Sequence, residues 1–282
     1  MTNYNNLFFI RNLFLILMFS ISLSTSAQLR FDYPVTEIEP TQLIVTYTLD
    51  YLMDTTNPNF IRNADMLLFL GENSSKFIGK EKYISDTIMR KITNTDEFQA
   101  FLMDRNRPFP KFSYAIFKNY PTKKITFIEH IIGGTFKFEE DLDLFNWQLS
   151  NDTATMCGYK VQKASCDFGG RSWVAWFSPE IPYSDGPYKF NGLPGLIVKI
   201  GDTREHYVFK LISIIKPEKR QMIDILEKDF IKSSKQNFFR AKDAFRDDIL
   251  NRAKEAGLSS KDQQTAARNM AKRNNPIELI RK

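Results

Sequence analysis

The residues that most often carry chemistry are scarce in this sequence. Only two cysteines, Cys157 and Cys166, and two histidines, His130 and His206, occur among its 282 residues. The C-x2-C and H-x3-H spacings of zinc sites are missing, so four such ligands would have to converge from separate segments. The same scarcity argues against a cysteine–histidine nucleophile pair. The sequence therefore predicts no metal site and no cofactor, and it favours a protein without catalytic activity while leaving an enzyme open.

Charge is almost absent from the first thirty residues. Arg11 is the only charged residue before position 30, and an apolar run begins at Leu13. That run of roughly a dozen residues is shorter than the about 20 that a membrane-spanning helix needs. Thr25 and Ala27 have the small side chains that signal peptidase accepts. Residues 1–27 are therefore predicted to be a secretory signal peptide, with an uncleaved anchor as the alternative. The mature protein is predicted to be periplasmic or secreted, without a lipid anchor.

Basic residues are concentrated toward the C-terminus. Residues 216–282 contain 17 basic and 10 acidic side chains, a net charge of +7. Residues 28–215 contain 21 basic and 23 acidic side chains, a net charge of −2. In an exported chain this distribution argues against nucleic acid as a partner. Contact of the basic segment with an anionic membrane surface or an acidic partner stays open, beside the simpler interpretation of a solvated helical face.

Alternating apolar residues predict a mainly β chain between Gln42 and residue 215. Apolar runs flank turn residues at 71–74, 167–170 and 201–204, which is the pattern of β-hairpins. Consecutive hairpins build an antiparallel sheet. Strands are predicted at 43–51, 66–70, 76–78, 113–117, 125–132, 135–138, 145–149, 159–165, 171–177, 196–200 and 207–212.

Two regions lose this alternation and are predicted to be helical. Between residues 81 and 105 apolar residues recur four apart, with Thr95 or Asp96 as a helix cap. From Pro217 onward the spacing is three and four residues, with Gly257 as a helix stop. The predicted fold is mainly β, of the α+β class, with a strongly curved antiparallel sheet or half-barrel and inserted helices. The predicted segments are the signal peptide 1–27, a β domain 28–215 and a basic helical segment 216–282.

The positions of the two cysteines work against a disulfide between them. An oxidising compartment permits a disulfide, but most residues between Cys157 and Cys166 form a predicted strand. Nine extended residues span roughly 30 Å, whereas the Cα atoms of a disulfide lie about 5–6 Å apart. A bridge requires the chain to turn, as at Gly158. Two free thiols, at least one of them buried, are the alternative.

Residues 171–200 carry the most distinctive pattern in the chain. The hexapeptide Gly192-Leu193-Pro194-Gly195-Leu196-Ile197 follows Arg171, a pair of tryptophans, a Pro-Glu-Ile-Pro turn and Lys189-Phe190. This pattern resembles the GLPGLI family of exported bacterial proteins, and the resemblance is strongest over about residues 145–215. It implies a fold and export. It implies no reaction, because the family has no established biochemical activity.

The hexapeptide itself is predicted to be structural. It contains no hydroxyl, carboxylate, thiol or imidazole. Gly192 and Gly195 permit positive φ or close backbone approach, and Pro194 fixes the turn between them. The three aliphatic side chains can bury as the chain enters the next strand. The glycine spacing matches neither a phosphate loop nor a dinucleotide fingerprint.

Aromatic residues near the hexapeptide are the candidate ligand contacts. Trp173, Trp176, Tyr183, Tyr188 and Phe190 could bind an apolar ligand, and a role in the core is the alternative. We therefore expect an exported envelope protein that binds an apolar ligand or an envelope protein without catalysis.

Two other functions are compatible with the sequence. Glu180 and Asp185 lie among aromatic residues and could form the paired acids of a hydrolase, although both also suit structural turns. Alternatively, the basic segment could dock the protein as an accessory or chaperone-like partner of an outer-membrane system. The acidic stretch 139–143 lacks the spacing of a calcium loop.

Overall fold

The computed structural model describes residues 34–131 and 134–279. The predicted signal peptide, residues 1–27, and the predicted turn residue Gly133 lie outside the described residues. The fold is mainly β, with 43% of the described residues in strands and 21% in helices. Within the described ranges, no helix has both the length and the apolar character needed to cross a membrane.

Fourteen strands and five helices make up the described residues. The strands are β1 (Val35–Pro40), β2 (Leu43–Leu52), β3 (Ile61–Leu70), β4 (Ser75–Gly79), β5 (Tyr114–Lys118), β6 (Lys124–Ile131), β7 (Gly134–Asp141), β8 (Gln148–Met156), β9 (Tyr159–Phe168), β10 (Arg171–Ser178), β11 (Leu196–Asp202), β12 (Tyr207–Ile215), β13 (Met222–Leu226) and β14 (Phe230–Lys232). The helices are α1 (Lys80–Met89), α2 (Thr95–Met103), α3 (Lys235–Asp247), α4 (Ile249–Glu255) and α5 (Ser260–Ala271).

Twelve of these strands form one sheet that is not closed into a barrel. Their order is β14-β7-β6-β5-β4-β3-β2-β12-β11-β10-β9-β8. Every pairing is antiparallel except that of β14 with β7, which is parallel. The hairpins predicted around residues 71–74, 167–170 and 201–204 are all present. The prediction of a mainly β fold is confirmed. The sheet, predicted to be antiparallel, includes one parallel pair.

The large sheet bends so strongly that its two halves share one core. The rings of Phe138 in β7 and Phe168 in β9 lie 5.5 and 5.9 Å from the ammonium nitrogen of Lys189. On a flat sheet these two strands, nine positions apart, would be about 43 Å from each other. The inner face is therefore concave.

Alternation along the strands decides which side chains fill this concave face. In β2, for example, Val45, Tyr47 and Leu49 are completely buried, because side chains two apart point to the same face. The connection between β10 and β11 crosses this face and contributes Phe190 and Leu193 to the same core. The concave side is thus filled by the protein's own aromatic and aliphatic side chains.

A second, smaller sheet covers part of the opposite face. It consists of β1 and β13, paired antiparallel, and its Ile223 and Ile225 pack with Leu67 and Phe69 of β3. Asp224 between them pairs with Lys76 of β4 at 2.8 Å and with Arg90 at 2.6 Å. These two cations outweigh the effect of burial and lower the pKa of Asp224.

The prediction of helix from Pro217 onward is wrong for the first part of that segment. Residues 222–226 and 230–232 are strands, and helix begins only at Lys235. Ile223 and Ile225 are buried whereas their neighbours are half-buried. This two-residue alternation, satisfied by pairing with β1, prevails over the three- and four-residue spacing of Ile223, Leu226 and Phe230.

Two local predictions are also corrected. The strand predicted at 145–149 starts only at Gln148 and continues through polar residues to Met156. Phe145 and Trp147 lie outside the strand and pack on Phe190. Helix α2 is capped by Asn94, whose side chain accepts a hydrogen bond from the Glu97 amide, rather than by Thr95 or Asp96.

Candidate binding groove

A short C-terminal segment returns to the large sheet after helix α5. We call residues 274–279 the strap; they form neither helix nor strand. The strap lies in a groove formed by Gly169, Arg171, Tyr188, Lys189 and Tyr207. Asn275 and Glu278 of the strap are buried, whereas Asn274 and Leu279 at its ends are exposed.

Arg171 hydrogen-bonds to the main chain of the strap. It begins β10, directly after Gly169 and Gly170, which turn the chain with φ values of 60° and 79°. Its guanidinium donates to the carbonyl of Pro276 at 2.7 Å and to that of Ile277 at 3.0 Å. Arginine presents five donors in a rigid plane, so one buried side chain can hold several acceptors at once.

The same guanidinium is fixed on its other side by the body of the protein. It pairs with Asp202 at 2.9 Å, and both side chains are 2% exposed. The ring of Tyr207 lies 5.0 Å from the guanidinium carbon, a distance at which cation and ring attract each other. Arg171 is therefore held in place by the sheet independently of the strap.

Asn275 is the first side chain of the strap that the groove recognises. Its amide oxygen accepts from Arg171 at 2.6 Å, and its amide nitrogen donates to the Leu52 carbonyl at 2.6 Å. Its main-chain carbonyl accepts from the Tyr207 hydroxyl at 2.6 Å. An asparagine amide offers both a donor and an acceptor, and both are used here.

Glu278 is the second recognised side chain and the only acidic one in the strap. One carboxylate oxygen accepts from Lys189 at 2.7 Å and from the Tyr188 hydroxyl at 2.6 Å. The other pairs with Lys235 of α3 at 2.7 Å. Glu140 at the end of β7 pairs with both lysines. Two cations therefore balance two carboxylates, which is how buried charges are usually tolerated.

Lys189 is unusual because it is fully buried among rings. Its side chain is 0% exposed, and the rings of Phe127, Phe138 and Tyr188 lie 5.3 to 5.6 Å from its nitrogen. A buried ammonium is costly unless it is paired. The two carboxylates and the surrounding ring faces supply that pairing.

The charges of this cluster shift the ionisation of its members. Burial by itself would raise the pKa of Glu278, but Lys189 and Lys235 outweigh it and hold that pKa below the ordinary 4.5. Burial opposes the charge of Lys235, yet the two carboxylates raise its pKa above the ordinary 10.5. Burial and the Glu278 carboxylate raise the pKa of Tyr188 well above 10.0. The tyrosine therefore stays a hydrogen-bond donor at neutral pH.

The five aromatic residues predicted to bind a ligand do not form one exposed surface. Trp173, Tyr188 and Phe190 are buried, and the rings of Trp173 and Phe190 lie 4.7 Å apart. Trp176 and Tyr183 are half-buried. Strand alternation turns Trp176 to the face opposite Trp173. Of the five, Tyr188 is the one that touches the strap.

The hexapeptide Gly192–Ile197 closes the connection that lines the concave face. Leu193, Leu196 and Ile197 are buried. A Cβ atom on Gly195 would lie 2.1 Å from the Ser178 carbonyl oxygen, and the φ of this glycine is +148°. Only glycine fits such a close backbone approach.

The two carboxylates considered for hydrolysis are in different environments. Asp185 pairs with Lys118, a buried lysine that also donates to the carbonyls of Gly186 and Phe190. Glu180 is exposed. Burial lowers the pKa of Lys118, and its pairing with Asp185 opposes that effect. Asp185 therefore fixes the connection around residue 186.

The cysteines and histidines have different partners and environments. Cys157 and Cys166 are free thiols, the first exposed and the second buried, and burial raises the pKa of Cys166 to about 12. His130 contacts Thr135, and His206 lies 3.4 Å from Arg171. In the part of the chain that the structure describes, no three acidic, cysteine or histidine side chains are grouped to hold a metal ion.

Sequence reasoning did not identify the groove. Arg171 and Lys189 stand out in the sequence only as parts of the pattern at 171–200. Glu140 stands out only as part of the acidic stretch 139–143, and nothing local distinguishes Lys235 and Glu278. One signal was available, since Lys189 stands directly between two aromatic residues, Tyr188 and Phe190. Its partners are distant in sequence, and no local pattern links them.

Comparison with known proteins gives a short match to one family model and a likeness of fold to solved structures. Residues 170–199 match the model of a family described as a protein of unknown function (Porph_ging). That stretch includes Arg171, Tyr188, Lys189 and the hexapeptide. A search of curated proteins gives no match.

Among solved structures, the chain is similar to PNGF-II in a P21 crystal form. The TM-score is 0.50 at 11% identity, over 71% of this chain and 32% of PNGF-II. This chain therefore spans about a third of that protein, and the likeness concerns the fold alone. An uncharacterized conserved protein from Thermus thermophilus has a TM-score of 0.32 at 5% identity, over 68% of this chain and 91% of that one.

Proposed function

We propose that this protein is an exported, non-enzymatic binding protein whose groove holds a short, non-helical protein segment with one acidic side chain. The observation that supports the proposal is the strap. Its carbonyls at residues 275–277 accept hydrogen bonds from Tyr207 and Arg171, and its Asn275 and Glu278 side chains enter specific polar sites. Peptide-binding proteins that take up an extended segment gain affinity from main-chain hydrogen bonds and specificity from sites for individual side chains.

A protein segment is favoured over an apolar small molecule. The concave face that could have formed a cavity is filled by the protein's own side chains, including Trp173, Tyr188 and Phe190. Two open surface depressions of about 440 and 470 Å³ are lined by other residues, around Pro217 and around Thr153. A buried apolar ligand therefore has little support, whereas polar recognition of a chain segment has direct support.

Export is part of the proposal and rests on residues 1–27 and on the resemblance to the GLPGLI family. Sequencing the N-terminus of the protein recovered from the envelope fraction tests it. We expect the mature chain to begin at Gln28. A chain that still begins at Met1 in the cytoplasmic fraction would contradict export.

The binding proposal can be tested by supplying the strap as a separate peptide. A protease recognition sequence is inserted between Gly257 and Leu258, where a Cβ atom on the exposed glycine would meet nothing within 4 Å. The folded protein is then cut and the C-terminal fragment separated by gel filtration. A fluorescent peptide of residues 272–282 is titrated into the remaining body, and binding is followed by anisotropy.

We expect micromolar binding of the peptide and a folded body with a cooperative thermal transition. A peptide with Glu278→Gln should bind at least about tenfold more weakly, because hydrogen bonds to charged groups are the strong ones. A peptide with Lys272→Ala is the matched control, since Lys272 is exposed, and it should bind like the wild type. Unfolding of the body on loss of the fragment, or equal binding of the Glu278→Gln peptide, would contradict the proposal.

A further inference from the structure

The strap and the helices that carry it differ sharply in how firmly they are held. Asn275 and Glu278 are buried and hydrogen-bonded to the groove. Across α4, α5 and the turn between them, residues 249–271, only Ala253 and Ala266 are buried. Two alanines provide little apolar area. The helical hairpin is thus a weakly packed connection between a firmly packed α3 and a firmly bound strap.

The turn of this hairpin has the features of a hinge. Gly257 has a φ of +71° and is exposed, and Ser259 caps α5 by accepting from the Asp262 amide. If residues 256–259 became helical, α4 and α5 would form one helix of 23 residues, about 35 Å long. The strap would then be carried away from its own groove.

We infer that two copies of this chain associate by exchanging their straps, each strap occupying the groove of the other copy. This inference rests on the proposed function, because it takes the groove as a site that binds a strap supplied in trans. The exchanged contacts are the same as those within one copy, so only the hinge changes conformation. Such exchange of an identical element is a low-cost route to a dimer. The partner is therefore a second copy, whose strap is already shown to fit.

The test uses a variant in which the turn is weakened, so that the straight helix becomes more favourable. The dimer association constant is then measured. The variant Gly257→Ala/Ser259→Ala removes the glycine at positive φ and the helix cap, both of which maintain the turn. The matched control is Gly158→Ala/Ser234→Ala. Gly158 also has positive φ with open space at its Cβ, and Ser234 also caps a helix, α3, but neither lies in the hinge. Light scattering on the full chain gives the dimer association constant.

We expect the hinge variant to raise that constant about tenfold or more, a change of about 1.4 kcal/mol, and the control to leave it unchanged. Crosslinking then determines whether the straps in the dimer are exchanged between chains. Thr55 and Asn274 are exposed and in contact, with 2.9 Å between Oγ1 and Oδ1. Cysteines at both positions, in a Cys157→Ser background, are joined by a short bismaleimide. Exchange predicts crosslinks between chains in the dimer fraction.

The remaining outcomes overturn the inference. One such outcome is a hinge variant that stays monomeric at the highest soluble concentration. The other is a dimer in which the crosslinks form only within each chain. Peptide binding to the cut protein separates this failure from failure of the proposed function. If the peptide binds but no exchanged dimer forms, the groove is supported as a binding site and the strap exchange is contradicted.

Discussion

The carboxylate of Glu278 lies 2.7 Å from the ammonium nitrogen of Lys189, across 89 residues of sequence and inside the protein. This contact joins the last described segment of the chain to the stretch that matches the family model. It couples the C-terminal segment to the concave core.

Removing the charge of Glu278 should destabilise the protein strongly. Glu278→Gln leaves Lys189 and Lys235 buried with only Glu140 as a carboxylate partner, and breaking a buried ion pair costs about 3–5 kcal/mol. We expect a loss of about 3 kcal/mol in the free energy of unfolding, measured by denaturant titration. Glu180→Gln, at an exposed site, should change it by less than about 0.5 kcal/mol. Equal effects of the two substitutions would contradict the account of the cluster.

Glu278 should also contribute to acid sensitivity. Its pKa in the folded protein is below the ordinary 4.5, so the unfolded chain binds its proton at higher pH than the folded one. The stabilisation is complete above pH 4.5 and is lost as the pH falls through the folded pKa. Between about pH 5 and the folded pKa, unfolding free energy should therefore decline more steeply for the wild type than for Glu278→Gln. Parallel pH profiles of the two proteins would contradict this.

Arg171 should not be replaceable by lysine. Arg171→Lys keeps the charge but loses the planar fork that reaches Asn275, Pro276 and Ile277 together. We expect the Leu279 amide, bonded to the Gly169 carbonyl at 2.6 Å, to exchange hydrogen at least about tenfold faster. Arg204→Lys, the same change at an exposed position, is the control. Unchanged protection in Arg171→Lys would show that the fork does not hold the strap.

Gly195 should tolerate no side chain. In Gly195→Ala the new Cβ would meet the Ser178 carbonyl, so the backbone must shift, and we expect a loss of at least about 3 kcal/mol or failure to fold. Gly158→Ala also has positive φ but meets no neighbour, and its cost should be about 1 kcal/mol. Thermal unfolding of both variants gives the comparison. Similar midpoints would mean that the close approach is unimportant.

The two tryptophans of β10 should differ in their effect on stability. Trp173 is fully buried and Trp176 is half-buried. Trp173→Ala should cost about 3–5 kcal/mol, and Trp176→Ala at least about 1 kcal/mol less, because less apolar area is lost. Denaturant unfolding measures both. A larger loss for Trp176→Ala would reverse our assignment of the core face.

Much of the sheet could be predicted because its hairpins are local. Alternating apolar residues around 71–74, 167–170 and 201–204 set both the strands and their partners. The failures are also physical. β8 is a polar edge strand, so its residues 150–156 show no apolar alternation. β13 is so short that Ile223, with Leu226 and Phe230 after it, also fits a helical spacing.

The groove could not be predicted, because it depends on contacts between distant segments. Lys189 is visible in the sequence as a charge between two aromatic residues, and Arg171 as a charge after two glycines, but nothing local shows what they bind. Asn275 and Glu278 stand in a polar, basic end of the chain that resembles a solvated tail. Their burial follows from the return of the chain to the concave sheet, which no period in the sequence encodes.

The central claim is that the strap occupies a groove as a separable segment. Hydrogen exchange of the intact chain, followed by mass spectrometry, tests this directly. If the claim holds, amides of residues 274–279 exchange through a local opening that leaves β10 and β11 protected, at a free energy well below that of global unfolding. If the strap and these strands become exchangeable only together, at the global free energy of unfolding, the strap is an integral part of the fold and the claim is wrong.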